Sequence, residues 1–190
     1  KKRVGRRTGV FNLGCGPAVE VERMLLAHEA SDLLEFDLLD FNADTIAYTR
    51  DRLNHARMRG GRTTRINFHQ KSVHQILRAA SQEEGRRELG SYDVVYCAGL
   101  FDYLSQRVCQ RLVELFCEMA RPGGLVVVTN VSDDNPRKRF MEYLVEWNLI
   151  YRGRREMEEL IPRGKEFART ELKADPTGVN LFLEIQMKDA

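Results

Sequence analysis

Two glycines, Gly14 and Gly16, stand between a short apolar run and a helical pattern in the segment FNLGCGPAVE. Glycine at both positions allows a tight backbone turn and lets a ligand approach the main chain closely. A helix is predicted to begin near Pro17, a residue type that suits a first-turn position, and the helix start offers unpaired N–H groups and a partial positive charge. A dinucleotide fingerprint would need a third glycine where Val19 stands, which disfavours a nicotinamide cofactor. The pattern alone indicates either a ligand-binding turn or an ordinary connection from strand to helix.

An acidic residue, Asp40, lies at the end of the next predicted strand. It stands about 20 residues beyond the glycines, where an acid can hold ribose hydroxyls. One carboxylate can accept hydrogen bonds from both hydroxyls at once. Asp40 could instead favour the start of the helix that follows, but Asp44 is better placed for that role. The two signals together predict a nucleoside site in which one ligand contacts both the glycine turn and Asp40.

The elements that position these residues alternate between apolar runs and helical patterns. Such alternation predicts a parallel sheet covered on both faces, because parallel strands need crossover connections. The predicted strands are Val10–Leu13, Leu33–Phe41, Arg65–His69, Asp93–Cys97 and Leu125–Thr129. The predicted helices between them are Val19–Ala30, Ala43–Met58, Val73–Ala80 and Ser105–Ala120, the last one stopped by Pro122-Gly123-Gly124.

The rhythm changes after Asn130. Helices are predicted over Arg137–Tyr151 and Arg155–Ile161, and two extended runs, Phe167–Ala174 and Val179–Lys188, then follow with only a short turn between them. Strands joined by a short turn must be antiparallel. We therefore expect a Rossmann-like α/β three-layer sandwich, whose mostly parallel seven-stranded sheet ends in a C-terminal antiparallel hairpin.

Length and composition predict one globular domain over residues 1–190. The first strand begins near the start of the chain, so we expect an N-terminal segment to be missing from it. The chain holds 30 basic and 28 acidic residues, a balance that disfavours nucleic acid as a partner. No run approaches the roughly 20 apolar residues of a membrane span, and no signal-peptide pattern is present.

The cysteines and histidines predict no metal site. None of the four cysteines forms a CxxC pair, and the four histidines are scattered along the sequence. We interpret the cysteines as buried free thiols in a reducing, cytoplasmic compartment. They are Cys15, Cys97, Cys109 and Cys117.

The order and spacing of these motifs resemble the class I S-adenosylmethionine-dependent methyltransferases over nearly the whole chain. FNLGCGPA resembles the family's glycine-rich motif, and LLDFNADTIAYTRDRL resembles its second strand, acidic tip and following helix. HQKSV stands where the family contacts adenine, YDVVYCAGLFDYL at the fourth strand and its loop, and RPGGLVVVTN at the fifth strand. The resemblance implies S-adenosylmethionine as cofactor. It also implies binding by Asn12, Gly14, Cys15, Gly16, Asp40, Phe41, Ser72, Val73, Cys97, Ala98 and Gly99.

Three residues depart from the family pattern. The family often has an acid where Asn12 stands, glycine where Ala18 stands, and aspartate near Ser72. Asn12 can form hydrogen bonds but cannot neutralise an ammonium group, and Ser72 could accept from an adenine amine only through its hydroxyl. These departures leave open a module that binds the cofactor without catalysis.

A narrower resemblance concerns the methyl acceptor. The segments CAGLFDYLSQRVCQRLVELF and FMEYLVEWNLIYR resemble bacterial methyltransferases of 3-hydroxypalmitic acid methyl ester biosynthesis. That resemblance implies a small-molecule acceptor with a fatty-acid carboxylate, such as a 3-hydroxy fatty acid. A carboxylate with a pKa near ~4 needs no general base at neutral pH, whereas an acceptor of high pKa would need one.

Aromatic residues mark the predicted acceptor side. Tyr143, Trp147 and Tyr151 are spaced four apart and would form one stripe of a helix, suited either to an apolar acceptor or to the protein core. Tyr103 flanks the cofactor by its position in the loop after the fourth strand, and Arg152 could either pair with an acceptor carboxylate or lie in solvent. An RNA or protein methyltransferase is the rival hypothesis, and it would require a basic face with stacking aromatics.

Overall fold

The structure, a computed structural model, describes residues 6–82 and 91–190. Its strands are β1 (Thr8–Leu13), β2 (Leu34–Asp40), β3 (Arg65–Gln70), β4 (Tyr92–Cys97), β5 (Ala120–Val131), β6 (Arg169–Ala174) and β7 (Asn180–Gln186). They form one seven-stranded sheet in the order β3-β2-β1-β4-β5-β7-β6. Strands β1, β2 and β3 pair in parallel, whereas β7 pairs antiparallel with both β5 and β6. The predicted Rossmann-like α/β fold with a C-terminal antiparallel hairpin is confirmed.

The helices follow the predicted alternation with the strands. They are α1 (Val19–Ala27), α2 (Ala43–Gly60), α3 (Val73–Ala80), α4 (Gln106–Met119), α5 (Lys138–Leu144) and α6 (Arg154–Glu158), with 3₁₀ turns at Glu29–Leu33 and Phe101–Tyr103. Within residues 6–82 and 91–190, no helix has the length and apolar character that a bilayer crossing requires.

The chain divides into two compact units, Lys1–Val94 and Val95–Ala190, with the boundary inside β4. In the first unit, α1 packs against α2, and apolar side chains from both helices and from β1 and β2 are fully or almost fully buried. Burying a side chain such as Leu or Val stabilises a fold by about 1.5–3 kcal/mol. The buried side chains of this core are Leu13, Val21, Leu25, Leu38 and Leu53. Together they hold the ends of β1 and β2 side by side.

In the second unit, α4 is strongly amphipathic, as its sequence predicts. Its inward side chains, including Leu112 and Phe116, are fully buried, as are Val126 and Val128 of β5. The prediction that Pro122–Gly124 forms a stop before the fifth strand is wrong, because α4 ends at Met119 and β5 already begins at Ala120. Gly123 takes a left-handed φ of 70° and its N–H donates to the Lys188 carbonyl, which lets the strand absorb the proline and glycines.

The predicted helix over Arg137–Tyr151 is also wrong, since α5 ends at Leu144. Glu146 takes a left-handed φ of 52°, and the Trp147 N–H donates to the Met141 carbonyl rather than continuing the helix. Beyond it, Arg152 forms a β-bridge with Ser132, just past the end of β5. Pairing with the sheet therefore overrides the helical spacing of the aromatic residues, as tertiary contacts commonly do.

Candidate functional site

The glycine turn is fixed against the end of β2 by backbone hydrogen bonds. Gly14 and Gly16 have left-handed φ values of 70° and 49°, which glycine adopts without strain. The N–H groups of Gly14 and Cys15 both donate to the Leu39 carbonyl, at 2.8 and 2.9 Å. The buried hydroxyl of Thr49 donates to the Gly16 carbonyl at 2.7 Å. The turn therefore has one defined shape, set by β2 and α2.

Open space lies beside this turn. A Cβ placed on Gly16 would meet no atom of the described chain within 4 Å. Ala18, which precedes α1, is left-handed as well, with φ 45° and ψ 51°, and no side chain in the described part of the molecule caps the helix there. A ligand can therefore approach the backbone at Gly16, just before the start of α1, and anion and nucleotide sites commonly lie at such a position.

Asp40 faces the turn, as the spacing predicts. Its Oδ2 accepts from the Gly16 N–H at 3.1 Å, and its Oδ1 accepts from the Asn42 N–H at 3.0 Å. Asn42, rather than Asp40, caps α2 through its side-chain oxygen, which accepts from the N–H groups of Asp44 and Thr45. Each carboxylate oxygen of Asp40 has a second lone pair available to a hydroxyl donor.

Asn12 lies at the end of β1 and is buried, with 2% of its surface exposed. Its Nδ2 donates to Oε1 of Glu20, in the first turn of α1, at 3.4 Å, while its Oδ1 has no hydrogen-bond partner among the described residues. Burial, followed by the carboxylates of Asp40 and Glu20, raises the pKa of the Cys15 thiol to about 12. Sequence reasoning missed this contact of Glu20 with Asn12, although an acid four residues after the second glycine was a visible signal.

The residues expected near adenine follow β2 and β3. Ser72 caps α3: its hydroxyl accepts from the Gln75 N–H at 3.3 Å, and its own N–H donates to the Gln75 side chain at 2.8 Å. Val73 opens α3, and Phe41, directly after β2, is 67% exposed. The Ser72 hydroxyl therefore has a structural partner, and a contact with adenine stays a prediction.

The segment Cys97–Gly99 lies in the second unit. Cys97 is completely buried, and burial raises the pKa of its thiol. Ala98 and Gly99 are exposed, and the Gly99 N–H donates to the Thr129 hydroxyl at 3.1 Å. Contact of these three residues with a cofactor likewise stays a prediction. No group of His, Cys, Asp and Glu side chains in the described ranges could hold a metal ion.

Two of the four predicted acceptor-side residues meet. The Trp147 indole N–H donates to the Tyr103 hydroxyl at 2.6 Å, and both side chains are about half exposed. Tyr143 is 80% exposed. The Tyr151 ring lies under the Lys138 ammonium, 4.3 Å from the ring centroid, and its buried hydroxyl has no partner among residues 6–82 and 91–190. The predicted single stripe is wrong, because α5 ends before Trp147 and Tyr151.

The hypothesis that Arg152 pairs with an acceptor carboxylate is also wrong. Arg152 is buried, with 1% of its surface exposed. Its Nη1 donates to the Phe101 carbonyl and to Asn130 Oδ1, its Nη2 to the Leu104 carbonyl, and its Nε to Gln106. All three guanidinium nitrogens are thus engaged in holding the 3₁₀ turn Phe101–Tyr103 next to β5.

Asp102, inside that turn, is buried and structural. Its Oδ1 accepts from the Val131 N–H at 2.7 Å, and its carbonyl accepts from the Ile150 N–H at 2.7 Å. Burial raises the pKa of Asp102, while the Val131 N–H and the Arg152 charge oppose that rise. The side chain of Asp102 therefore ties the turn to β5.

Solved methyltransferase structures share this fold. Magnesium protoporphyrin IX methyltransferase from Synechocystis PCC 6803, solved with S-adenosylhomocysteine, superposes with a TM-score of 0.66 at 11% identity, over 96% of this chain and 75% of that one. An O-methyltransferase family protein from Burkholderia thailandensis gives 0.66 at 17% identity, over 97% and 52%. The N-methyltransferase NodS from Bradyrhizobium japonicum WM9, also with S-adenosylhomocysteine, gives 0.62 at 13%, over 96% and 79%.

At these identities the similarity establishes the fold. This chain spans about half the length of the Burkholderia protein. No family model and no curated protein matches the sequence.

Proposed function

We propose that this chain binds S-adenosylmethionine and transfers its methyl group to a small-molecule acceptor. The proposal rests on the Asp40 carboxylate, which accepts a hydrogen bond of 3.1 Å from the N–H of Gly16. Open space lies next to the α-carbon of Gly16. A nucleoside whose ribose hydroxyls donate to Asp40 would lie against the glycine turn. The solved neighbours with S-adenosylhomocysteine support this choice of nucleoside over a nicotinamide.

The residues present fit such a cofactor. Asp40 offers acceptors to the ribose, the open space at Gly16 admits a ligand to the backbone, and Phe41, Ser72 and Val73 follow the neighbouring strand ends. When bound, the cofactor supplies a methyl group on a sulfonium, which is already a good leaving group. The protein then has mainly to align the acceptor with that carbon and to exclude water.

For the acceptor we propose a fatty-acid carboxylate, such as that of a 3-hydroxy fatty acid. All four histidines precede residue 75, so the second unit, with its exposed aromatic residues, offers no imidazole base. An acceptor that is already ionised requires none. The hydrogen-bonded pair of Tyr103 and Trp147 presents half-exposed aromatic surface that suits an apolar chain. The buried thiols lead us to place the protein in the cytoplasm, where thiols stay reduced.

Calorimetry with S-adenosylmethionine and with NAD tests the cofactor. We expect binding of S-adenosylmethionine alone, weakened at least tenfold by Asp40→Ala because both ribose acceptors are lost. Asp44→Ala is the matched control, since Asp44 is an exposed carboxylate in the first turn of α2. The affinity of this variant for S-adenosylmethionine should stay within about twofold of that of the parent. Binding of NAD instead, or of neither ligand, would overturn the proposal.

Transfer of a labelled methyl group tests the acceptor. We expect product with a 3-hydroxy fatty acid and none with RNA, protein or small amines. Product with RNA or protein would replace the acceptor assignment with the rival one. Tight cofactor binding without transfer to any acceptor would indicate a binding module without catalysis.

A further inference from the structure

The hydroxyl of Tyr151 is a polar group that the second unit leaves unsatisfied. The hydroxyl oxygen is buried, and it has no hydrogen-bond partner among residues 6–82 and 91–190. A buried polar atom without a partner costs stability, and native proteins keep few of them. A partner from outside these residues would therefore be held strongly at this hydroxyl.

The Tyr151 hydroxyl acts as a hydrogen-bond donor and not as a base. Burial raises the pKa of Tyr151, and the negative charges of Glu142 and Asp102 raise it further. The phenol therefore keeps its proton at neutral pH and can donate it to an oxygen acceptor. A hydroxyl of this kind suits an acceptor molecule that is already ionised, because it cannot deprotonate one.

Lys138, the first residue of α5, places a positive charge beside the same side chain. Its ammonium lies 4.3 Å from the centroid of the Tyr151 ring. Glu142 follows one turn later on α5, yet within the described part of the chain Lys138 forms no ion pair with it or with another acid. A contact with a ring face leaves the three N–H donors of the ammonium available to an anion.

These two side chains lie at the carboxyl end of β5. Arg152, the residue after Tyr151, forms a β-bridge with Ser132, just past that strand. Ligands of open α/β sheets bind outside the carboxyl ends of the strands. The guanidinium of Arg152 is fully engaged by its own hydrogen bonds, so the charge that Lys138 offers is a single one and matches a monoanion.

The exposed aromatic pair belongs to the same assembly. The Ile150 N–H donates to the Asp102 carbonyl, so Tyr151 and Tyr103 each follow one member of a hydrogen-bonded pair. Tyr103 in turn accepts from the Trp147 indole, and both rings are about half exposed. A cationic group, a phenol donor and an apolar surface are thereby held together by backbone contacts of the second unit.

We propose that Lys138 and the Tyr151 hydroxyl bind the carboxylate of the acceptor, while its hydrocarbon chain lies on Tyr103 and Trp147. This inference rests on the proposed function, which supplies an acceptor with one negative charge and an apolar chain. Lys138 supplies the charge, and Tyr151 supplies a directional hydrogen bond. The flexible four-carbon stem of Lys138 lets the ammonium leave the ring face to meet the carboxylate and admit it to the hydroxyl.

Calorimetry with a matched pair of ligands, in the presence of S-adenosylhomocysteine, tests the assignment. The first ligand is 3-hydroxydecanoate, and the second is its methyl ester, which keeps the chain and lacks the charge. We expect Lys138→Gln to raise the Kd for the acid about tenfold and to leave that for the ester within about twofold. Arg139→Gln is the control, since Arg139 is the neighbouring exposed cation on α5, and it should change neither Kd.

Two further variants separate binding from a merely structural role. Tyr151→Phe keeps the ring and should weaken the acid about threefold or more without weakening the ester. Its free energy of unfolding should be no lower than that of the parent, because the lost hydroxyl has no partner in the described chain. Lys138→Arg keeps the charge and should bind the acid within about threefold of the parent.

Trp147 is the only tryptophan of the sequence, so its fluorescence reports whether the hydrocarbon chain lies where we propose. We expect the acid to shift that fluorescence. An unshifted signal on binding, or a Lys138→Gln variant that keeps the parent's affinity for the acid or weakens acid and ester equally, would overturn the assignment while the proposed function stands. A parent that binds S-adenosylmethionine but neither the acid nor the ester would overturn this site and the fatty-acid acceptor together.

Discussion

Gly16 has two features that act in different ways. Its N–H donates to Asp40, and its α-carbon faces space in which a side chain would touch no atom of the described chain. Its φ of 49° is one that a residue with a side chain adopts only at a cost. The fold therefore requires only a left-handed backbone at Gly16, and the open space beside the α-carbon is available to a ligand.

At the residue scale, Gly16→Ala should harm ligand binding more than stability. We expect a loss of about 1–2 kcal/mol in the free energy of unfolding, from the left-handed φ alone. We expect a loss of more than tenfold in affinity for S-adenosylmethionine, because the methyl group enters the ligand's space. Urea denaturation and calorimetry measure the two effects, and an affinity unchanged from the parent would show that no ligand approaches Gly16.

At the element scale, the 3₁₀ turn Phe101–Tyr103 depends on contacts from other parts of the second unit. Arg152 donates to the carbonyls of Phe101 and Leu104, and Asp102 accepts from the backbone of β5. The turn carries Tyr103, whose hydroxyl accepts from Trp147. The position of this aromatic pair is therefore set by buried polar groups rather than by helix packing.

We expect Arg152→Met to lower the free energy of unfolding by about 3 kcal/mol or more, because two carbonyls and the Asn130 side chain would lose their donor while staying buried. Arg152→Lys should rescue little, since an ammonium cannot reproduce the planar set of donors. Arg154→Met is the control, because the side chain of Arg154, two residues further along the chain, is exposed. This substitution should change the free energy of unfolding by less than about 0.5 kcal/mol. Urea denaturation of the three variants checks this prediction, which fails if Arg152→Met is as stable as Arg154→Met.

The turn between β6 and β7 has its own pH dependence. The Asp175 side chain accepts from the Thr177 hydroxyl, the Asn180 amide and the N–H groups of Thr177 and Val179. These bonds, with the Thr177 and Asn180 side chains first, lower the pKa of Asp175 to about 2. Because the folded pKa lies below the unfolded one, the stability it adds is present above pH ~4 and is lost as the pH falls towards 2.

Asp175→Asn should therefore make the acid limb of the stability curve flatter. We expect the variant to lose less stability than the parent between pH 4 and pH 2, measured by urea denaturation at each pH. Asp189→Asn, near the end of the chain, serves as the control and should follow the parent curve. Parallel curves for Asp175→Asn and the parent would contradict the prediction.

At the scale of the whole molecule, the sequence predicts the sheet because strand and helix periodicities are local. The alternation of elements, the paired glycines and the spacing to Asp40 are all legible along the chain, and the structure brings the Asp40 carboxylate to the turn. The predictions fail where contacts between residues distant in sequence determine the structure. Arg152 is buried because a β-bridge and four hydrogen bonds hold it there. No pattern within residues 137–151 indicates these contacts.

The contact between Asn12 and Glu20 escaped prediction for a related reason, because the Asn12 amide is buried only once β1 is covered. A sequence shows the type of each residue, but it does not show which polar atom will be left without a partner.

The buried thiol of Cys15 has a consequence for chemical reactivity. Burial raises the pKa of this thiol to about 12, so the thiolate is scarce at neutral pH, and it is the thiolate that alkylating reagents and peroxides attack. A cysteine within the glycine turn would otherwise be a point of oxidative damage. Maleimide labelling of the native protein, followed by peptide mapping, should therefore leave Cys15 unmodified until the chain is unfolded.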